Sequence, residues 1–138
     1  VPGERPVRSG CRMREEARKR LEKAERSIAA ARTLLEHGDA DFSIARGYYA
    51  LLYVAEALLV ERGLRFRKHG GVHGAFGEHF AKTGVMEAKF HRWLIDTFDL
   101  RSTADYGLDV ALTHDDAALA IARAEEFLAA ARGFLEAG

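Results

Sequence analysis

The stretch IARGYYALLYVAEALLV, Ile44 to Val60, decides the fold. It is apolar almost all round a 3.6-residue period, so a helix made from it has no side that prefers water. Such a helix belongs at the centre of a bundle or at a subunit interface. With Arg46 and Glu56 inside it, the run falls short of a bilayer span. The pattern predicts a helix from about Phe42 to Arg62, stopped by Gly63. Arg46, Tyr49, Tyr53 and Glu56 follow one another at spacings of three, four and three, which lines them along one face. Tyr48 and Tyr49 are about 100° apart on such a helix, so one packs in the core while the other joins Arg46 on the polar seam.

Working outward, Leu21, Ala24, Ile28, Ala31 and Leu35 recur at three- and four-residue spacing. They predict a first helix of about six turns with one apolar stripe. Gly38 ends it, and Asp39 or Asp41 can cap the next helix. Beyond Gly63 the loop LRFRKHGG is basic and glycine-rich. A short helix is expected from about Val72 to Lys82, bearing Val72, Phe76 and Phe80, and Thr83-Gly84 breaks it. A third long helix spans about Glu87 to Ala104, with Phe90, Trp93, Leu94, Thr97, Phe98 and Arg101 inward by phase. THDD, Thr113 to Asp116, supplies a cap and acids for the first turn of a last helix. That helix carries Ala117, Ile121, Ala124, Leu128, Ala131 and Leu135 on one stripe, widened by Phe127 and Phe134. No useful strand-period alternation is present. The expectation is an all-α, up-and-down antiparallel four-helix bundle over residues 13–138, with the extra short helix between the second and third. Residues 1–12, VPGERPVRSGCR, are aperiodic and hold both prolines, and they read as a disordered or non-native tail.

Composition agrees with a globular domain: 138 residues, 48% hydrophobic and 30% charged. The single cysteine, Cys11, cannot form an internal disulfide, and no secretory signal is visible, so a cytoplasmic location is expected. No membrane association is expected either. Net charge is zero but uneven. Residues 1–37 hold ten Arg or Lys against six Glu, and residues 101–138 hold three Arg against seven acids. Opposite excesses at the two ends favour mutual attraction within the bundle over a basic first helix that meets phosphates.

Arg101 is the most informative residue for chemistry. Positions 90, 94, 97 and 101 share a face, so this arginine sits on the apolar stripe. A guanidinium cannot shed its charge, and burial requires a carboxylate or an anionic ligand. Asp105, one turn on, and Glu56 on the second helix are the candidate partners, with Tyr106 packed beneath a structural Arg101–Asp105 bridge as the plainest alternative. Arginine beside aromatics also suits stacking on bases. His69, His73 and His79 invite a metal reading, but Gly70-Gly71 interrupts the first pair and no HExxH or CxxC accompanies them. No metal or other cofactor is expected. Nucleophile elbows and phosphate-binding loops are absent as well.

ARGYYALLYVAEALL in the second helix, KHGGVHGAF opening the short helix, RSTADYG ending the third and the closing AEEFLAAARGFL together resemble the HEPN domain family of bacteria and archaea, over about residues 13–136. The resemblance implies a helical bundle, usually a homodimer, that associates with nucleotide or RNA. It also implies a minimal nucleotidyltransferase as partner, often with the HEPN protein as the toxin of the pair. Catalytic members are metal-independent ribonucleases with an Arg followed after four to six residues by a His. Arg101 matches that arginine, whereas Tyr106, Gly107 and Leu108 stand where the His would be. Arg67 and His73 satisfy the bare spacing from within the basic loop. Leu108 also occupies the place relevant to a tyrosine that the partner modifies, so that role does not pass to Tyr106 by position. The expected function is therefore a binding module rather than an enzyme, with a groove formed by Arg101, Asp105, Tyr106, Arg46, Tyr49, Tyr53 and Glu56. The alternatives are a ribonuclease toxin using Arg101 and a displaced His73, and a purely structural dimer.

Overall fold

The computed structural model describes residues 13–106 and 111–137. The tail expected at 1–12, and Gly107 and Leu108, lie outside the described residues. Helix α1 spans Glu15–Glu36, α2 Ala40–Glu61, α3 His69–Phe76, α4 Ala88–Tyr106 and α5 His114–Ala137. A π-helical turn, Gly77–Ala81, continues α3. No strand occurs among the described residues. The architecture is the expected all-α bundle.

Helix α2 is its axis and contacts each of the other four α-helices. Thirteen of its residues are buried, Ile44, Tyr48, Leu51, Val54, Leu58 and Val60 among them. By length and composition α2 is also long and apolar enough to cross a membrane, which exceeds the estimate from the apolar run alone, but 72% of its most apolar window is buried inside the bundle. Helix α1 lies antiparallel beside it and buries Leu21, Ala24, Ile28 and Ala31 as the stripe requires. Two hydroxyls fix the register: Ser27 donates to the Arg46 carbonyl and Ser43 to the Ala31 carbonyl, both at 2.7 Å.

The helix ends follow their local chemistry. Gly38 and Gly63 take φ of +83° and +80°, which costs glycine nothing. At each, the next two amide N–H groups return to carbonyls of the last turn: Gly38 to Leu35 and Asp39 to Leu34, Gly63 to Val60 and Leu64 to Leu59. Asp39 occupies the cap position of α2 but makes no side-chain cap bond; Asp41 instead accepts from the Phe42 amide. Thr113 and Asp116 form a reciprocal box, each side chain accepting from the other's amide at 3.1 and 2.9 Å.

The short helix departs from expectation. It begins at His69, three residues before the predicted start, with Gly70 and Gly71 inside its first turn. A Cβ on Gly71 would stand 3.2 Å from Phe66, and one on Gly77 only 2.7 Å from His91. Gly71 and Gly77 permit close packing, and the Gly70-Gly71 pair does not break the helix. Phe134 also departs: it is 39% exposed and lies edge-on to Phe80 instead of inside the core.

The expected attraction between the two ends is met by one pair, Arg32–Glu125, while the other α1–α5 pair runs in the opposite sense. Arg32 pairs with Glu125 and Arg132 with Glu25, which ties α1 to α5. Helix α4 buries only Phe90, Leu94 and Thr97, leaning on α2 and the α3 segment and barely touching α5.

Candidate functional site: a tyrosine–histidine–arginine cluster

The early start of α3 places His69 and His73 one turn apart on the face toward α2. There they converge on one group, the hydroxyl of the fully buried Tyr48. Tyr48 Oη lies 2.7 Å from His73 Nε2 and 3.3 Å from His69 Nδ1. A hydroxyl has one proton to donate, so neutral imidazoles satisfy it best when one ring presents N–H and the other a lone pair. Burial, with the positive charge available to His69 and His91 adding to it, holds His73 down to about 4. His69 is lowered too, by burial and then by the Arg101 charge. Burial pushes the Tyr48 phenol well above its usual range, against the opposing pull of Arg101. The triad is therefore neutral near pH 7. Phe98 closes it, with ring centres 5.0 Å from His73 and 5.5 Å from Tyr48.

Tyr49, the neighbour of Tyr48, faces the seam as the 100° argument requires. Two guanidiniums converge on its ring: Arg46 at 4.7 Å and Arg101 at 5.2 Å from the centroid. Arg101 also lies 5.8 Å from the Tyr48 ring. Its Nε is 3.0 Å from Asp105 Oδ2. That carboxylate lies off the N–H direction, so the buried Nε keeps an ion pair without an aligned hydrogen bond. Two positive groups thus pack against one aromatic ring, with a single carboxylate, Asp105, paired to one of them. Tyr53 continues the seam, stacked on Tyr49 at 6.1 Å, with the Lys23 ammonium 4.9 Å from its centroid.

Of the residues expected in the groove, Arg101, Asp105, Arg46, Tyr49 and Tyr53 come together. Glu56 does not reach Arg101. It faces Arg20, with Oε1 3.5 Å from Nε, and burial raises its carboxyl against the pull of Arg20 and Lys23. Its helical phase carries it one turn beyond the cluster, toward α1. Tyr106 is 80% exposed and does not pack beneath the Arg101–Asp105 pair, because it sits in the last turn of α4 where no described helix covers it. His73, whose spacing from Arg67 reads as a match within the basic loop, belongs with His69 to α3 and lies in the interior. The Tyr48–His69–His73 contact was legible only in part: the two histidines are four apart, but Gly70-Gly71 disguised the helix that makes this spacing meaningful.

A family model for the HEPN domain matches residues 17–134. The chain belongs to the HEPN domain family. A UPF0332 protein of Gloeobacter violaceus is 37% identical over 116 residues, covering 83% of this chain and 92% of the relative. Two proteins of Methanocaldococcus jannaschii named "Putative toxin" are also similar. One is 36% identical over 84% of this chain and 86% of its own length, the other 29% identical over 90% and 84%. In this HEPN domain Arg101 stands beside Tyr48 and Tyr49 of α2, and its charge reaches His69 of α3.

Proposed function

We propose that this HEPN domain is a binding module that takes a phosphate-bearing nucleotide or RNA at the Arg101 cluster, as part of a toxin-type pair. The observation that carries the reading is the convergence of Arg46 and Arg101 on the Tyr49 ring with only Asp105 to balance them. Two guanidiniums gathered on one ring make a site that an anion would stabilise, and tyrosine offers a base a stacking face beside that anion. The toxin setting rests on the relatives named as toxins. A minimal nucleotidyltransferase as protein partner, and a second copy over the outer face of α4, complete the proposal. Half-buried Ile95 and Leu100 on that sparsely packed helix suit such a dimer.

Ribonuclease activity is the second reading, favoured by the short path from Arg101 through Tyr48 to His73. Against it, His73 is only 7% exposed and its Nε2 is already engaged. Substitution separates these readings. Arg101→Ala is expected to weaken binding of a labelled RNA oligonucleotide tenfold or more, with the helical circular dichroism unchanged. Unaltered binding would sink the proposal. RNA cleavage without metal, abolished by His73→Ala, would replace it with the second reading.

A further inference from the structure

Next to the Arg101 cluster, across the α1–α2 seam, lies an open groove of about 190 Å³ lined by Lys23, Arg26, Ser27, Ala30, Arg46 and Tyr53. On α1, positions 23, 26, 27 and 30 fall on one face; on α2, Arg46, Tyr49 and Tyr53 do the same. The Ser27–Arg46 hydrogen bond and the Lys23–Tyr53 contact hold the two rows opposite each other. Three of the six lining residues are cations and none is an acid. Among the described residues, Lys23, Arg26 and Arg46 have no carboxylate within ion-pair distance. The acids nearby are engaged elsewhere: Glu22 with Arg18, Glu25 with Arg132, Glu56 with Arg20 and Asp105 with Arg101. Elsewhere on α1, Arg18, Arg20 and Arg32 pair with glutamates. Three unpaired cations thus line this one groove, with the stacked rings of Tyr49 and Tyr53 between it and Arg101.

We infer that this groove is a second phosphate subsite, continuous with Arg101, which makes the ligand a single-stranded polynucleotide rather than a mononucleotide. The inference rests on the proposed binding at Arg101 and extends it. One phosphate beside Arg101 and Arg46 leaves Lys23 and Arg26, one to two helical turns away, for the next phosphates of the same chain. The tyrosine pair supplies a face on which a splayed base stacks. A duplex keeps its bases stacked inside and cannot use that face.

The test compares the parent protein with a Lys23→Ala, Arg26→Ala variant, using a labelled ten-residue oligouridine and, separately, uridine monophosphate. Both side chains are exposed and free of ion pairs, so the helical signal should persist. Each lost phosphate contact should lower the salt slope of single-strand binding by about 0.7, so the double variant should lose about 1.4. Its oligouridine affinity at low salt should fall at least tenfold, while its affinity for the monophosphate stays unchanged. Tyr53→Leu should weaken oligouridine more than inorganic polyphosphate, which has no base to stack. An unchanged slope and affinity in the double variant would overturn the subsite; if Arg101→Ala still weakened binding, the proposed function would survive. No oligouridine binding by the parent would overturn both. Competition by polyglutamate as strong as by unlabelled oligouridine would reassign the groove to an acidic protein segment.

Discussion

Two aromatic clusters sit on the same α3–α4 framework, and they differ in what ends each ring. In one, Phe90 stacks on Phe127 at 4.8 Å, Phe127 meets Phe76 at 5.3 Å, and Phe76 stacks on Phe80 at 5.5 Å. All four are fully buried and present nothing to hydrogen-bond. In the other, Tyr48, Tyr49, His69, His73 and Phe98 pack at similar distances but carry two hydroxyls and imidazole nitrogens, with the guanidiniums of Arg46 and Arg101 against the rings. The first cluster has only packing to offer and belongs to stability. The second holds polar groups whose burial must be offset, and it opens toward solvent through Tyr49, Arg46 and Arg101. Similar ring geometry thus serves two ends, and the polar tips separate them.

The comparison breaks most visibly in the phenylalanine cluster. Phe127→Ala should cost about 3–5 kcal/mol through lost burial and the cavity left between Phe76 and Phe90. A chemical denaturation curve would show it, and ligand affinity of the folded fraction should be unchanged. The polar cluster should instead make stability depend on pH. Folded His73 titrates at about 4 against an ordinary 6.5, so between these values the unfolded chain binds more protons. Its contribution is complete above about pH 6.5 and is lost as pH falls toward 4, an effect of order 3 kcal/mol. His73→Gln, which cannot titrate, should flatten that part of the pH–stability curve; an unchanged curve would show that His73 titrates normally. Tyr48→Phe comes next, at about 1–3 kcal/mol, because it strips both imidazoles of their shared partner. Smallest is Asp105→Asn. An exposed-edge helical pair is worth only about 0.3–0.5 kcal/mol, so the midpoint should barely move, while anion affinity rises as Arg101 is freed.

Much of this was legible in the sequence, for definable reasons. The all-round apolar pattern of α2 forces a central helix whatever its neighbours do. Gly38, Gly63 and the Thr113–Asp116 box act within a few residues, so their signals need no tertiary knowledge. The phase of Arg101 likewise placed it on the inner face, and the adjacency of Tyr48 and Tyr49 set one inward and one on the seam. What escaped depended on contacts between elements. Gly70 and Gly71 look like helix breakers until Phe66 is seen pressing where a Cβ on Gly71 would stand. Without that helix, His69 and His73 have no common face and Tyr48 no partner. Glu56 shares the seam's spacing, yet only the position of Arg20 on α1 shows which cation it serves.

The central claim is that the polar cluster binds the ligand while the phenylalanine cluster only supports it. An aromatic proton–carbon spectrum titrated with oligouridine observes both at once. Ring signals of Tyr49, Tyr53 and His69 should shift with a common affinity, while those of Phe76, Phe80, Phe90 and Phe127 stay in place. Equal movement in both clusters, or saturable binding that leaves the tyrosine and histidine rings unmoved, would contradict the account.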